Sequence, residues 1–210
     1  MTMLPLLFCF LAADNPVKFD NDLVRILKVT VPPGKKSAMH THEVNRVMIY
    51  LDAGAIDIGH KDGRVDHQRW KPEQVAWSPK GGLHTSDNVG GTTIRVVEIE
   101  LKKPAPVAVG RDARLDPVAI DPKHNILLLE NDQVRVFRSW REAGMTEAMH
   151  EHTGAGRVVV LLTDIEAKVS PGGTEMKDQA GEVHWTAGAT KHAGTNVGKK
   201  RFDMILVEVK

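Results

Sequence analysis

Cysteine is nearly absent from this chain of 210 residues: the only one is Cys9, close to the N-terminus. A single thiol excludes an intrachain disulfide, and its position leaves the body of the chain without a thiolate metal ligand. An excess of charge is also lacking, since the formal net charge is +1. This value gives no electrostatic reason to expect binding to nucleic acid.

The N-terminal apolar run, Leu4–Ala13, is too short to cross a bilayer, which takes about 20 residues. We therefore expect no stable insertion into a membrane. The run resembles the apolar segment of a secretory signal, which predicts a signal peptide over residues 1–13 and a secreted or periplasmic protein. No Lys or Arg precedes it. A poorly assigned start or a buried N-terminal strand, in a cytoplasmic protein, therefore stays open as the alternative.

A sustained helical period is missing as well. No part of the body keeps apolar residues at a 3.6-residue spacing for long, whereas short β-rich runs such as Val24–Val31, Ile94–Leu101 and Met204–Val209 recur. Turn signals such as Asp62-Gly63 separate these runs. The pattern predicts an all-β protein built as an antiparallel sandwich or barrel.

The sequence does contain an internal repeat. Gly34–His42 returns as Gly144–His152, and a third histidine, His84, returns as His192. The offset is 110 residues for the first histidines (150 − 40) and 108 for the last (192 − 84), so insertions are small. The repeat predicts two domains related by internal duplication.

The repeat also sets the expected domain boundaries. The N-terminal domain covers residues 17–102 and the C-terminal domain residues 123–210, with a linker rich in proline and small residues over 103–122. Domains of about eighty residues are small for an independent core. We therefore expect the two domains to pair within one chain, with the oligomeric state left open.

Each repeat carries a His-x-His pair and a lone third histidine. On a strand, residues i and i+2 point to the same face, so the paired imidazoles project together and a neighbouring strand can supply the third. Three convergent imidazoles are typical of a metal site. The predicted metal ligands are His40, His42 and His84 in one domain, and His150, His152 and His192 in the other.

These motifs resemble those of the cupin superfamily, G-x5-H-x-H-x3/4-E-x6-G and G-x5-P-x-G-x2-H-x3-N. Gly34-x5-His40-x-His42 matches the start of the first motif, and Pro79-x-Gly81-x2-His84-x3-Asn88 matches most of the second. The C-terminal copy keeps the leading glycines, the histidines and the asparagine but has Ala187 and Ala189 in the second motif. The resemblance implies a bicupin: two tandem antiparallel β-barrels of the jelly-roll, or double-stranded β-helix, type.

Both copies depart from the family at the glutamate ligand of the first motif, where Arg46 and Arg157 stand. A guanidinium near a dication is repelled by it. The arginines therefore either point away, are neutralised, or hold an anion. Because arginine presents a planar fork to a carboxylate, we interpret them as substrate-binding residues. The alternative is a salt bridge to a neighbouring carboxylate, for which Glu43, Asp87 and Glu151 are near in sequence.

Two functional hypotheses follow. The first is a metal-dependent enzyme of oxygenase (including dioxygenase), isomerase or decarboxylase type that acts on a small anionic organic molecule. The second is a non-catalytic cupin that binds a small ligand or a metal in the cell envelope. The cofactor is expected to be a divalent metal, and Fe, Zn, Ni, Cu and Mn all stay open, because affinity order alone does not choose among them.

Overall fold

The computed structural model describes residues 16–103 and 110–210. The proposed signal over residues 1–13 and part of the linker lie outside the described residues, so these two interpretations stay predictions. The chain divides between Lys102 and Lys103 into two compact units, called below the N-terminal and C-terminal units.

The described part of the N-terminal unit, residues 16–102, contains nine strands. They are β1 (Val17–Asp20), β2 (Val24–Val31), β3 (His40–His42), β4 (Asn45–Tyr50), β5 (Gly54–His60), β6 (Val65–Trp70), β7 (Gln74–Ser78), β8 (Gly81–Asn88) and β9 (Ile94–Leu101).

The described part of the C-terminal unit contains one short helix and nine strands. They are α1 (Pro117–Ile120), β10 (Asn125–Glu130), β11 (Val134–Arg141), β12 (His150–His152), β13 (Gly156–Leu161), β14 (Ile165–Ser170), β15 (Thr174–Asp178), β16 (Val183–Ala187), β17 (Thr190–Asn196) and β18 (Phe202–Val209).

Each unit contains one five-stranded and one four-stranded antiparallel sheet. The N-terminal orders are β1-β2-β9-β4-β7 and β3-β8-β5-β6; the C-terminal orders are β10-β11-β18-β13-β16 and β12-β17-β14-β15. The two units thus have the same strand order, element by element. The predicted all-β fold with two antiparallel units is confirmed. Within the described residues, no helix has the length and apolar character needed to cross a membrane.

The core of each unit is formed by side chains that alternate along the strands. In β9, Ile94 and Val96 are buried and pack with Val29, Met48 and Trp70. In the C-terminal unit the corresponding cluster contains different side chains, including Phe137, Phe202 and Leu206. The two units therefore share a topology but differ in the side chains that fill the interior.

The histidines lie where the short strands β3 and β12 pair with longer neighbours. His40 lies opposite His84 across β3 and β8, and His150 lies opposite His192 across β12 and β17. Antiparallel pairing thus brings a third histidine directly beside each His-x-His pair, although the residues are far apart in the sequence.

Candidate metal centre

The histidines converge in both units. The potential ligand atoms of His40, His42 and His84 lie within 4.8 Å of one another, and so do those of the second triad, formed by His150, His152 and His192. The imidazole centroids of the N-terminal triad are 4.6–5.4 Å apart. The structure therefore brings together all six histidines that the sequence singled out, three in each unit.

The two triads have nearly the same shape. In the C-terminal unit the three centroid separations are 4.8, 4.6 and 5.1 Å, and they rank in the same order as the corresponding separations of the N-terminal unit. The triads differ in accessibility, since His150 and His152 are buried whereas the N-terminal histidines are all partly exposed.

Main-chain carbonyls fix the orientation of three of the imidazoles. Nδ1–H of His40 donates to the carbonyl of Ala38 at 2.8 Å, and Nδ1–H of His84 donates to that of Gly82 at 2.6 Å. In the C-terminal unit, His150 Nδ1–H donates to the carbonyl of Ala148 at 3.0 Å. A carbonyl can only accept, so these rings carry their proton on Nδ1 and leave the lone pair of Nε2 for a metal.

A carboxylate fixes the orientation of a fourth imidazole, that of His152. His152 Nδ1 lies 2.8 Å from Oε1 of Glu208, which is completely buried. A ligating imidazole that donates its other N–H to a carboxylate is oriented by it and made more basic. In the N-terminal unit the corresponding glutamate, Glu100, instead accepts from Arg25 at 3.4 Å. Glu100 therefore does not serve His42 as Glu208 serves His152.

The contact between His150 and His152 tests whether the residues suit a cation. Their Nε2 atoms are 3.0 Å apart, although both rings are protonated on Nδ1 by the partners just described. Two lone pairs facing each other at this distance repel, unless a proton or a cation lies between them. Two neighbouring octahedral ligands with bonds of about 2.1 Å would stand roughly 3.0 Å apart. The donor set therefore fits a divalent metal ion.

Burial keeps most of these imidazoles neutral. It lowers the pKa of His42 to about 3, with help from the charge of Arg46, and lowers the pKa of His84 as well. In the C-terminal unit, burial lowers the pKa of His152 to about 4 against the opposing hydrogen bond to Glu208, and lowers that of His192 to about 3. Neutral imidazole is the form that binds metal, so the triads are ready to bind at neutral pH.

The lowered pKa values predict a pH dependence for the metal-free protein. Above the unfolded pKa of about 6.5 these histidines are neutral in both states and contribute nothing. Below it the unfolded chain takes up protons that the folded protein excludes, so the free energy of unfolding falls. For His152 alone we expect a loss of about 2 kcal/mol between pH 6.5 and pH 5, above the range in which ordinary carboxylates titrate.

Urea denaturation of chelator-treated protein at pH 7, 6 and 5 measures this effect. The His152→Gln variant serves as the control and should show a shallower slope. A free energy of unfolding that stays constant over this range would contradict the burial of neutral imidazoles.

Arg46 lies next to the N-terminal triad and is neutralised there. Its side chain is buried, donates to Glu98 at 2.9 Å and to Ser78 at 2.8 Å, and faces the same cavity as His40 and His42. Of the three arrangements open from the sequence, the structure shows a neutralised arginine inside the site. Its partner is Glu98 on β9, rather than any of the three carboxylates near it in sequence.

Arg157 occupies the corresponding place in the C-terminal unit. Its buried side chain donates to Thr190, and burial lowers its pKa against the opposing charges of Glu208 and Glu147. The counterpart of Glu98 is Leu206 on β18, which has no charge to pair with Arg157. The two arginines therefore have different neighbours, and their proposed contact with a substrate stays a prediction.

A cavity of about 160 Å³ opens beside the N-terminal triad. Its wall is apolar in part, from residues such as Val96 and Ile56, and polar where Tyr50, Arg46 and Glu98 face it. Glu98 is the only carboxylate among the described residues that line the cavity.

Three glutamates near the triads were not identified from the sequence: Glu98, Glu147 and Glu208. Glu147 lies three residues before His150, and its Oε1 is 3.9 Å from His150 Nδ1 and 4.0 Å from His192 Nε2. One feature of the sequence could have pointed to Glu147: the second copy of the repeat has this acidic residue where the first copy has Ser37.

Comparison with known proteins supports the fold assignment alone. No protein-family model matches the sequence, and no curated protein sequence matches it either. AerE from Microcystis aeruginosa has a similar structure, with a TM-score of 0.65 and 12% identity over 93% of this chain and 96% of that one.

Oxalate decarboxylase of Bacillus subtilis is also similar. A tryptophan-to-phenylalanine variant of that enzyme gives a TM-score of 0.64 at 10% identity, over 89% of this chain and 69% of the enzyme. A second structure of the enzyme, from a study of its Mn(II) centres, gives 0.62 at 11% identity over the same shares. The structural neighbours are cupin-fold proteins, and the two units have that fold. Identities this low say nothing about activity.

Proposed function

We propose that the protein is a metal-binding bicupin that holds one divalent ion at each histidine triad. The observation that carries this proposal is the pair of Nε2 atoms, in His150 and His152, that face each other 3.0 Å apart while both Nδ1 atoms are engaged. The N-terminal triad has nearly the same ring separations, and two of its rings are held in the same tautomer.

The proposal includes descent by duplication from one cupin domain. Equal strand orders support it, as does the register that places Arg46 opposite Glu100 and Arg157 opposite Glu208. On this account the exchange of the family's glutamate for arginine preceded the duplication, because the arginine occupies the same register position in both units.

The ion could be Fe, Zn, Ni, Cu or Mn, since imidazole binds all five. When bound, such an ion supplies Lewis acidity and, for redox-active metals, a site for dioxygen chemistry. Mn is found in the structurally similar oxalate decarboxylase of Bacillus subtilis, but this likeness in fold does not select the metal for this chain.

A small anionic organic molecule is the ligand we propose for the N-terminal unit. The cavity measures about 160 Å³, and a cavity of roughly 150 Å³ accommodates benzene. Three neutral imidazoles leave the charge of a dication uncompensated, and Arg46 and Glu98 cancel each other. The remaining positive charge favours an anion, and Arg46 would orient a carboxylate that reaches its fork.

With this ligand the enzyme hypothesis is an oxygenase, isomerase or decarboxylase. The alternative is a non-catalytic cupin that captures a small ligand or metal in the cell envelope. One observation favours the alternative: Glu98, the carboxylate that lines the described cavity, is held by Arg46 rather than free to transfer a proton.

Metal content of the untagged protein tests the proposal. After incubation with each candidate metal and removal of excess, elemental analysis should find two ions per chain in the wild type. His84→Ala and His192→Ala should each retain one, and the double variant should retain none. His67→Ala removes a histidine whose side chain is 66% exposed and away from the triads, so it should keep both ions. Metal-free wild-type protein, or a double variant that still binds two ions, would refute the proposal.

A further inference from the structure

The environment of Glu147 has no counterpart among the described residues of the N-terminal unit. Its Oε2 accepts from the guanidinium of Arg141 at 2.5 Å, and the side chains of Arg141 and Glu147 are 1% and 10% exposed. The residue that corresponds to Arg141 in the N-terminal unit is Val31. Burying an ion pair is costly and is often no more stabilising than apolar packing, so a buried pair placed here calls for another role.

The second carboxylate oxygen of Glu147 is turned toward the triad. Oε1 lies 4.0 Å from Nε2 of His192 and 3.9 Å from Nδ1 of His150, the nitrogen that donates to Ala148, whereas Oε2 is engaged by Arg141. Glu147 is not among the ligand atoms that already lie within 4.8 Å of one another. A side-chain movement is therefore needed before Oε1 can reach an ion held by the three imidazoles.

Two positions that hold serine in the N-terminal unit hold Glu147 and Gly194 in the C-terminal unit, and the glycine leaves space for the carboxylate. A Cβ at Gly194 would lie 2.8 Å from Oε1 of Glu147, so the carboxylate would have to shift from this position. The N-terminal unit has serine at both corresponding positions, and the backbone N–H of Ser86 donates to the hydroxyl of Ser37 at 2.8 Å. The C-terminal unit thus has an acidic residue in place of Ser37 and, in place of Ser86, a glycine that leaves room for the carboxylate in its present position.

We propose that Glu147 is the carboxylate ligand of the C-terminal metal site. In the sequence it lies before the His-x-His pair, whereas the glutamate of the cupin motif lies after the pair, at the position that Arg157 occupies here. This inference rests on the proposed metal-binding function. The C-terminal site is then a three-histidine, one-carboxylate site, and the N-terminal site is a three-histidine site with an open cavity. The first binds metal more tightly, and the second keeps positions free for a ligand.

Cobalt titration of single-site proteins tests this assignment. His84→Ala disables the N-terminal triad, so Co(II) binding and its visible absorption report the C-terminal site. Adding Glu147→Gln, which keeps the shape and an acceptor for Arg141, should weaken binding about ten- to a hundredfold and change the absorption bands. Equal affinity with an unchanged spectrum would show that Glu147 serves only as the partner of Arg141.

The reverse exchange keeps the test decisive if Glu147→Gln fails to fold. In a His192→Ala background, Ser37→Glu with Ser86→Gly should transplant the carboxylate to the N-terminal triad and tighten Co(II) binding about tenfold or more. Unchanged affinity and spectrum there would overturn the proposal. Absence of Co(II) binding in both single-site backgrounds would instead refute the proposed function itself, so the two failures are distinguishable.

Discussion

Replacing Glu208 by alanine is expected to lower the free energy of unfolding by about 3–5 kcal/mol. This completely buried carboxylate accepts from His152 and from Arg111, each at 2.8 Å, and lies 4.0 Å from Arg135. Its removal takes from Arg111 its closest carboxylate and leaves that guanidinium with Asp116 at 3.9 Å, whereas Arg135 keeps Asp116 at 2.8 Å. His152 also loses the acceptor that orients it, so metal affinity at the C-terminal triad should fall about ten- to a hundredfold.

Thermal denaturation with and without metal measures both effects, and Glu100→Ala is the matched control. Glu100 occupies the same position of the N-terminal unit, but it is partly exposed and its ion pair with Arg25 is 3.4 Å long. Exposed or partly exposed pairs contribute about 1 kcal/mol or less. Equal destabilisation by the two substitutions would mean that the contacts of Glu208 contribute no more to stability than the ion pair of Glu100 does.

Arg46→Glu is expected to strengthen metal binding and to lower the stability of the metal-free protein. The substitution removes a positive charge beside the N-terminal triad, adds a negative one, and frees Glu98. Affinity for a dication should rise about tenfold or more, because each unit charge nearby contributes several kcal/mol at an effective dielectric of about 20. Without metal, two unpaired carboxylates share a cavity, and stability should fall by about 3 kcal/mol.

The measurement is the melting temperature of each variant in chelator and in saturating metal, together with metal affinity. Arg46→Met separates the loss of the cation from the gain of a ligand, and Arg157→Glu tests the other unit. The Arg46→Glu variant should also bind small carboxylates more weakly, because the guanidinium fork is lost. If neither glutamate variant gains affinity for metal, the side chains do not act on the triads and their proposed role in substrate binding fails.

The sequence was sufficient to predict the fold class and the histidine triads. Short apolar runs with turn signals indicated strands, and the two-residue spacing of His40 and His42 placed both rings on one face of β3. The internal repeat added the third histidine of each unit, His84 and His192, and the resemblance of the motifs to those of cupins implies the same set. These features are local in sequence or repeated at a fixed interval, so they were visible without coordinates.

The acidic partners could not be predicted, because their contacts depend on strand register. Glu208 meets His152 across 56 residues, and Arg46 meets Glu98 across 52. Nothing in the local sequence distinguishes these glutamates from the solvated carboxylates that surround them. A partner for Arg46 was sought close to it in sequence, whereas β9 brings Glu98 alongside it through pairing with β4.

The main-chain carbonyls that orient His40, His84 and His150 have a consequence for mutational tolerance. Each lies two residues before its histidine, at Ala38, Gly82 and Ala148, and a carbonyl remains whatever side chain stands there. Substitution at Ala38 and Ala148 can therefore leave the ring orientation intact, whereas Gly82 has a φ of +69°, which other residues rarely adopt. His152 depends on the side chain of Glu208 instead, so substitution of Glu208 removes the group that orients this ring.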